Sequence, residues 1–250
     1  MIKSKLINKH KTISHGFFNK LGGYSNGIYR SLNCGAGSRD KKKNIIKNLE
    51  KVCKKISCTK NKLVLLEQIH SNKVFSINKI PKKKPTGDAL ITSKSKFALG
   101  ILTADCAPIF IFDPKMKIIA AIHAGWKGAY KNIIYKTIIN LKKKGSNVND
   151  LIAVIGPCIS KKKYEVKKDF LNKFTNKNKK NISFFNFSRN KIFFSLSEFI
   201  KNQLKNIGVR NIEVINKDTY SGKNNFFSHR RSLKNKYNDY GRNISVIMIK

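Results

Sequence analysis

The 250-residue chain carries 53 Lys and Arg against 13 Asp and Glu, a formal net charge of +40, with too few glycines (15) and prolines (5) for a fibrous or disordered protein. The charge argues first for nucleic acid, but the basic residues are nearly all Lys, spread from end to end among abundant Asn and Ile, as an A/T-rich coding sequence would give. No zinc-finger spacing, basic heptad or RNP-type strand accompanies them, so nucleic acid is not the expected partner, and the charge is read as an aid to attracting an anionic substrate. No apolar leader follows Met1, and no run reaches the ~18 apolar residues of a membrane span. The five cysteines are an odd number in a long chain, so free thiols in a reducing cytoplasm are expected rather than a disulfide framework.

In chain order, residues 15–37 are rich in Gly, Asn and Ser and read as loop with short extended pieces. A helix follows, with Ser38 and Asp40 as caps and Ile45, Ile46, Leu49, Val52, Cys53 and Ile56 at helical spacing. Leu63–Leu66 opens a strand toward Gln68 and His70, residues 81–86 form a loop, and Phe97–Leu102 is a strand leading to Thr103-Ala104-Asp105-Cys106. Ile109–Phe112 is apolar, Asp113-Pro114 turns, and the strand Ile118–Ile122 ends at His123-Ala124-Gly125-Trp126. A helix bearing Ile133, Ile134, Ile138 and Leu141 runs to about Gly145, and Leu151–Ile155 is a strand ending at Gly156-Pro157-Cys158. Leu196, Phe199, Ile200, Leu204 and Ile207 mark an amphipathic helix stopped by Gly208, and Ile212–Ile215 and Ile244–Ile249 are the last strands. Strands and helices mix without strict alternation. The expected fold is α/β or α+β, with mixed sheets flanked by helices in a single domain over 1–250. No G-x-G-x-x-G or Walker loop is present.

Three candidate ligands, His70, Cys106 and His123, each follow an apolar strand, and the ends of buried strands converge at one edge of a sheet. Two imidazoles and a thiolate suit zinc and leave one position open, and copper accepts the same donors. Without a short C-x-x-C-type spacing, a closed four-ligand structural site is not expected. Spacing alone leaves a rival in place, in which Cys106 is a nucleophile with either histidine as its base. Asp105 stands beside Cys106 as a candidate orienter or proton carrier. The pair Arg230-Arg231, following Phe226-Phe227-Ser228-His229, can clamp an anion, and the Gly-rich 22–37 segment with Lys20 beside it can offer backbone N–H groups to one.

Taken together, the segments HGFFNKLGG, SLNCGAG, LEQIHSNKV, GDALIT, LTADCAPIFIFDP, AAIHAGWKG, VIGPCISKKKYEV and FFSHRR, with YGR near the end, span nearly the whole chain in order. They resemble the laccase-domain or polyphenol-oxidase-like family, described as purine nucleoside phosphorylases and also as peptidoglycan editing factors. The resemblance implies one α/β domain and a metal, usually zinc, held by His70, Cys106 and His123; beside it, Asp105 and Cys106 are expected as catalytic residues and Lys20, Asn33 and Arg230 as contacts to substrate and phosphate. It further implies phosphorolysis of adenosine, inosine, guanosine and S-methyl-5′-thioadenosine together with adenosine deamination, so the implied partners are a nucleoside and phosphate. Editing of cell-wall precursors and copper-dependent phenol oxidation are also attached to the family and stand as alternatives. The chain departs from the family pattern at Lys20 (usually Arg), Ser71 (Gly), Lys127 (Arg), His229 (often Tyr) and Asp218 (Cys). Lys20 keeps the charge of the usual arginine but loses its bidentate fork.

Overall fold

The computed structural model describes residues 1–250. Its strands are β1 (Ile13–Phe17), β2 (Leu63–Val64), β3 (Val74–Ser76), β4 (Ala89–Thr92), β5 (Ala98–Thr103), β6 (Ala107–Asp113), β7 (Ile118–Ala124), β8 (Ile152–Ile155), β9 (Glu165–Val166), β10 (Phe185–Ser188), β11 (Lys191–Phe194), β12 (Asn211–Val214) and β13 (Asn243–Ile249). The helices are α1 (Lys5–Asn8), α2 (Lys42–Lys55), α3 (Trp126–Tyr130), α4 (Ile133–Lys142), α5 (Lys168–Lys177), α6 (Leu196–Ile207) and α7 (His229–Lys234). Two mixed sheets dominate, with strand orders β12-β8-β6-β7-β4-β3 and β1-β13-β5-β2, and a small antiparallel sheet β10-β11-β9 stands apart.

Side-chain alternation stacks these pieces into four layers. In β4, β6 and β7, Ile91, Ile109, Ile111, Ala120 and Ile122 face one way, into a core shared with Ile134 and Ile138 of α4 and Phe199 and Ile200 of α6. Their neighbours Leu90, Phe110, Phe112, Ile119 and Ala121 face the other way and meet Leu99, Ile101 and Ile247 of the four-stranded sheet. Val246, Met248 and Ala98, on the outer face of that sheet, pack against Val52 of α2. The order is thus helices, sheet, sheet, helix. Strands buried on both faces carry unbroken apolar runs, which is why they read so clearly in the sequence.

Where expectation and structure differ, the cause is local. The residues 15–37 read as loop begin inside β1, a short strand made inconspicuous by Ser14 and Gly16. A Cβ at Gly16 would sit 2.5 Å from Met1 Sδ, so the methionine side chain lies directly over this strand. Ser38 and Asp40 do not cap α2. Both accept hydrogen bonds from the Asn33 side-chain amide, and the Ser38 hydroxyl donates to Gly35 O. The helix after Trp126 is two helices, broken where Asn132 adopts φ 62°. Gly208, with φ 102°, stops α6 as expected. The strand at Leu63 is only two residues long. Beyond it the Gln68 amide makes both hydrogen bonds to the backbone of Leu102, at 2.7 and 2.8 Å, and so carries the pairing with β5 onward.

His15 lies in β1, buried, with Nε2 accepting the Ser4 N–H at 2.8 Å and its ring edge-on to Phe110. Burial, aided by Lys3 and opposed by Glu213, pulls its pKa down to about 4. Above pH ~6.5 the imidazole is neutral in both folded and unfolded chains and contributes nothing. As pH falls from there toward 4, only the unfolded chain takes up the proton, so stability is lost, by about 3 kcal/mol at most. Denaturant titrations between pH 4 and 6.5 are expected to show this slope, and His15→Gln to flatten it; equal slopes in the two proteins would refute the assignment.

Candidate metal centre

The chain crosses from one sheet to the other in the turn Ala104-Asp105-Cys106, which joins β5 of the four-stranded sheet to β6 of the six-stranded sheet. Asp105 adopts φ 86° to make the crossing. His123 is the penultimate residue of β7, in register with Pro108 of β6. His70 follows the Gln68 anchor, at φ 57°. The three paths bring one ligand atom each from His70, Cys106 and His123 within 4.8 Å of one another. His70 is exposed, Cys106 half-buried and His123 buried. The wall behind them has to be glycine, since a Cβ at Gly125 would lie 2.8 Å from Cys106 Sγ and 2.9 Å from His70 Cδ2.

Asp88, which the sequence reading did not single out, holds both histidines. It sits fully buried at the head of β4. One oxygen meets His123 Nδ1 at 2.8 Å and accepts the His70 N–H at 3.0 Å. The other accepts the Ser71 N–H and hydroxyl at 2.6 and 2.7 Å. Burial pushes the carboxyl up, but the hydrogen bonds from His123 and Ser71 outweigh it and bring the pKa down to about 2. Engaging Nδ1 fixes the ring and leaves Nε2 of His123 to face Cys106, the usual arrangement behind a ligating imidazole. Between the ligands themselves, burial raises the Cys106 thiol, while His123 and His70 together bring it down to about 7. Burial lowers His123, and the Cys106 thiolate and Asp88 lift it to about 9. A thiolate between two imidazoles is a donor set that suits a soft or borderline divalent cation.

Two cavities meet at the cluster. The larger, about 830 Å³, is lined by His70, Cys106 and His123 with Gln68, Lys83, Lys84, Tyr240 and Arg242. The smaller, about 310 Å³, shares His70 and Cys106 and is walled by Trp126, Ile159, Tyr164, Leu196, His229 and Arg230. Of the residues expected to contact substrate, only Arg230 borders this region. Its guanidinium lies 5.4 Å over the Tyr164 ring and donates to Glu165 O at 2.8 Å. Lys20 lines a separate cavity with Gly22, Gly23 and Arg30, where burial and the nearby Arg231 and Arg30 pull its ammonium below the usual lysine range. Asn33 is fully buried, accepting from Gly35 N and Arg242 N and donating to Ser38 and Asp40, so it shapes a loop and does not face a cavity. The expected double-arginine clamp is also corrected. Arg231 turns inward, its guanidinium donating to the carbonyls of Thr219, Tyr220 and Phe226.

Asp105 carries three donors, Thr219 Oγ1 at 2.7 Å, Ser228 Oγ at 2.9 Å and Arg230 N at 2.7 Å. It thereby ties the Asp218-Thr219-Tyr220 and FFSHRR segments to the Cys106 turn. Besides Asp88, the residues missed were Lys83, Lys84, Trp126, Tyr164, Tyr240 and Arg242. The available signals were a lone Asp between Gly87 and an apolar strand, and an arginine in a chain poor in arginine.

The layers and the cluster define a class: a four-layer α/β protein with an open two-histidine, one-cysteine centre at the seam of two sheets. The chain belongs to the family described as multi-copper polyphenol oxidoreductase laccase, which matches residues 14–250. It is 36% identical over 206 residues to a protein of Rickettsia conorii named purine nucleoside phosphorylase, covering 79% of this chain and 85% of that protein. A Rickettsia prowazekii protein of the same name is 31% identical over 245 residues, covering 96% of this chain and 98% of the relative. The crystal structure of the Bacillus licheniformis hypothetical protein YfiH superposes with a TM-score of 0.88 at 28% identity, covering 98% and 94% of the two chains. No helix of the chain is long and apolar enough to cross a membrane.

Replacing Asp88 by Asn leaves His123 Nδ1 without its carboxylate. Zinc affinity, measured by competition with a chromophoric chelator, is expected to fall about 10- to 100-fold in Asp88→Asn. Unchanged affinity would mean that the carboxylate does not orient the ligands.

Proposed function

We propose that the chain is a purine nucleoside phosphorylase that uses zinc at His70, Cys106 and His123. The observation carrying this reading is the placement of the cluster between two unlike cavities, a large one bordered by Lys83, Lys84 and Arg242 and a small one walled by Trp126 and Tyr164. A purine is flat and stacks on aromatic faces, whereas phosphate seeks guanidinium and ammonium groups. A nucleoside lying across the cluster therefore puts its base among the aromatics and its sugar carbon toward the basic side. The names of the Rickettsia relatives support the same reaction.

In that reaction a phosphate oxygen forms a bond to the sugar carbon as the carbon–nitrogen bond breaks, and the purine leaves with the bonding pair and takes up a proton. Zinc, when bound, supplies a fixed positive centre for negative charge that develops beside it. The protein's own part is to hold the partners. Asp88 sets the His123 imidazole and the backbone that carries His70, and Asp105 keeps Cys106 and Arg230 in place. The same open centre suits the deamination of adenosine, in which water replaces the ring amino group and ammonia leaves. Adenosine, inosine, guanosine and S-methyl-5′-thioadenosine share the purine that the small cavity would accept. Five unpaired thiols support a cytoplasmic setting. Copper-dependent phenol oxidation ranks lower, because one three-donor cluster is too few for the several coppers that reduce oxygen to water.

Purified protein given inosine and phosphate is expected to release hypoxanthine, to stop when a strong chelator strips the metal, and to recover with added zinc. Cys106→Ala is expected to lose metal and at least about 100-fold of the rate. Hypoxanthine release that persists at full rate through metal removal would replace the metal with a cysteine–histidine nucleophile, and its absence under all conditions would end the phosphorylase reading.

A further inference from the structure

Arg242 is unusually well prepared and has nothing to hold. Its Nη1 is buried and without a hydrogen-bond partner. No carboxylate lies within ion-pair distance of its guanidinium, although the nearest acid in sequence, Asp239, accepts from Tyr29 Oη and Arg39 N. The rest of the residue is fixed. Asn33 Oδ1 accepts its N–H at 2.9 Å, and its carbonyl accepts the Cys34 N–H at 3.1 Å. The guanidinium lies 4.7 Å over the Tyr240 ring, which packs on His229 at 4.7 Å on its own account. The stem runs through a groove that exists only because residue 35 is glycine, since a Cβ there would be 2.7 Å from Arg242 Cδ. Arg242 opens on the same cavity as the three ligand side chains.

A held guanidinium with one nitrogen buried and unpaired, on the cavity that the three ligand side chains line, is costly unless an anion joins it. We propose that Arg242 is the residue that grips the phosphate co-substrate, in the larger cavity, and that Lys20 and Asn33 are not. This rests on the phosphorylase reading for the identity of the anion. The Asn33 amide acts through Arg242, as a positioning residue, and Gly35 leaves room for the stem.

The test titrates inorganic phosphate into the metal-loaded protein without nucleoside, followed by phosphorus NMR line broadening, for wild type, Arg242→Met, Arg242→Lys and Lys20→Met. Arg242→Met is expected to weaken phosphate binding about tenfold or more. Arg242→Lys, which keeps the stem and charge and secures the test if the methionine variant fails to fold, is expected to fall in between. In steady state with inosine, the KM for phosphate rises in both Arg242 variants while the KM for inosine stays put. Phosphate binding that is unchanged in the Arg242 variants, or that is lost only in Lys20→Met, overturns the proposal, as does a wild-type protein that binds no phosphate. Phosphate held through Arg242 by a protein that leaves inosine intact would uphold the assignment and defeat the phosphorylase reading instead.

Discussion

The whole site hangs on the buried carboxylate of Asp88. It reaches two segments that the chain separates by more than fifty residues, the loop at His70 and the strand end at His123, and it fixes the backbone of one and the imidazole of the other at once. A charged carboxylate is expensive to bury and is tolerated only when its lone pairs are filled. Here backbone N–H groups, a hydroxyl and an imidazole fill them, so its own need for donors freezes the loop that carries His70. The ligand geometry is therefore a by-product of satisfying one buried acid.

The position of that acid follows from the layers. Two sheets lie face to face, and the chain has to pass between them between β5 and β6. The crossing exposes polar backbone at the end of an apolar stack, where Asp105 and Cys106 sit, and the ends of β4 and β7 open on the same edge. Asp105 then gathers the last third of the chain to this seam through Thr219, Ser228 and Arg230. Residues distant in sequence become neighbours because they share two carboxylates, one on each side of the centre.

Much of this was legible in advance where strands are buried on both faces. Runs such as Phe97–Leu102 and Ile118–Ile122 announce themselves, and with Leu63–Leu66 they lead to Cys106, His123 and His70, so the three could be named as candidates from strand ends. What was hidden was whatever depends on a single long-range contact. The strand β1 is masked by Ser14 and Gly16, and it forms by pairing with β13 at the other end of the chain. The caps assigned to Ser38 and Asp40 were spent on Asn33, and Arg231 was spent on three carbonyls. Local chemistry shows that Ser, Asp or Arg can bind something, but only the folded chain decides what. Asp88 and Arg242 were overlooked for the same reason: each is an ordinary residue until its partners, or their absence, are seen.

The pairing of two cavities about one centre has a consequence for how reactants come and go. On the proposed reading, base and phosphate occupy different cavities that meet at His70 and Cys106. Both would then be resident together, and turnover would run through a ternary complex in which no group is parked on the protein between half-reactions.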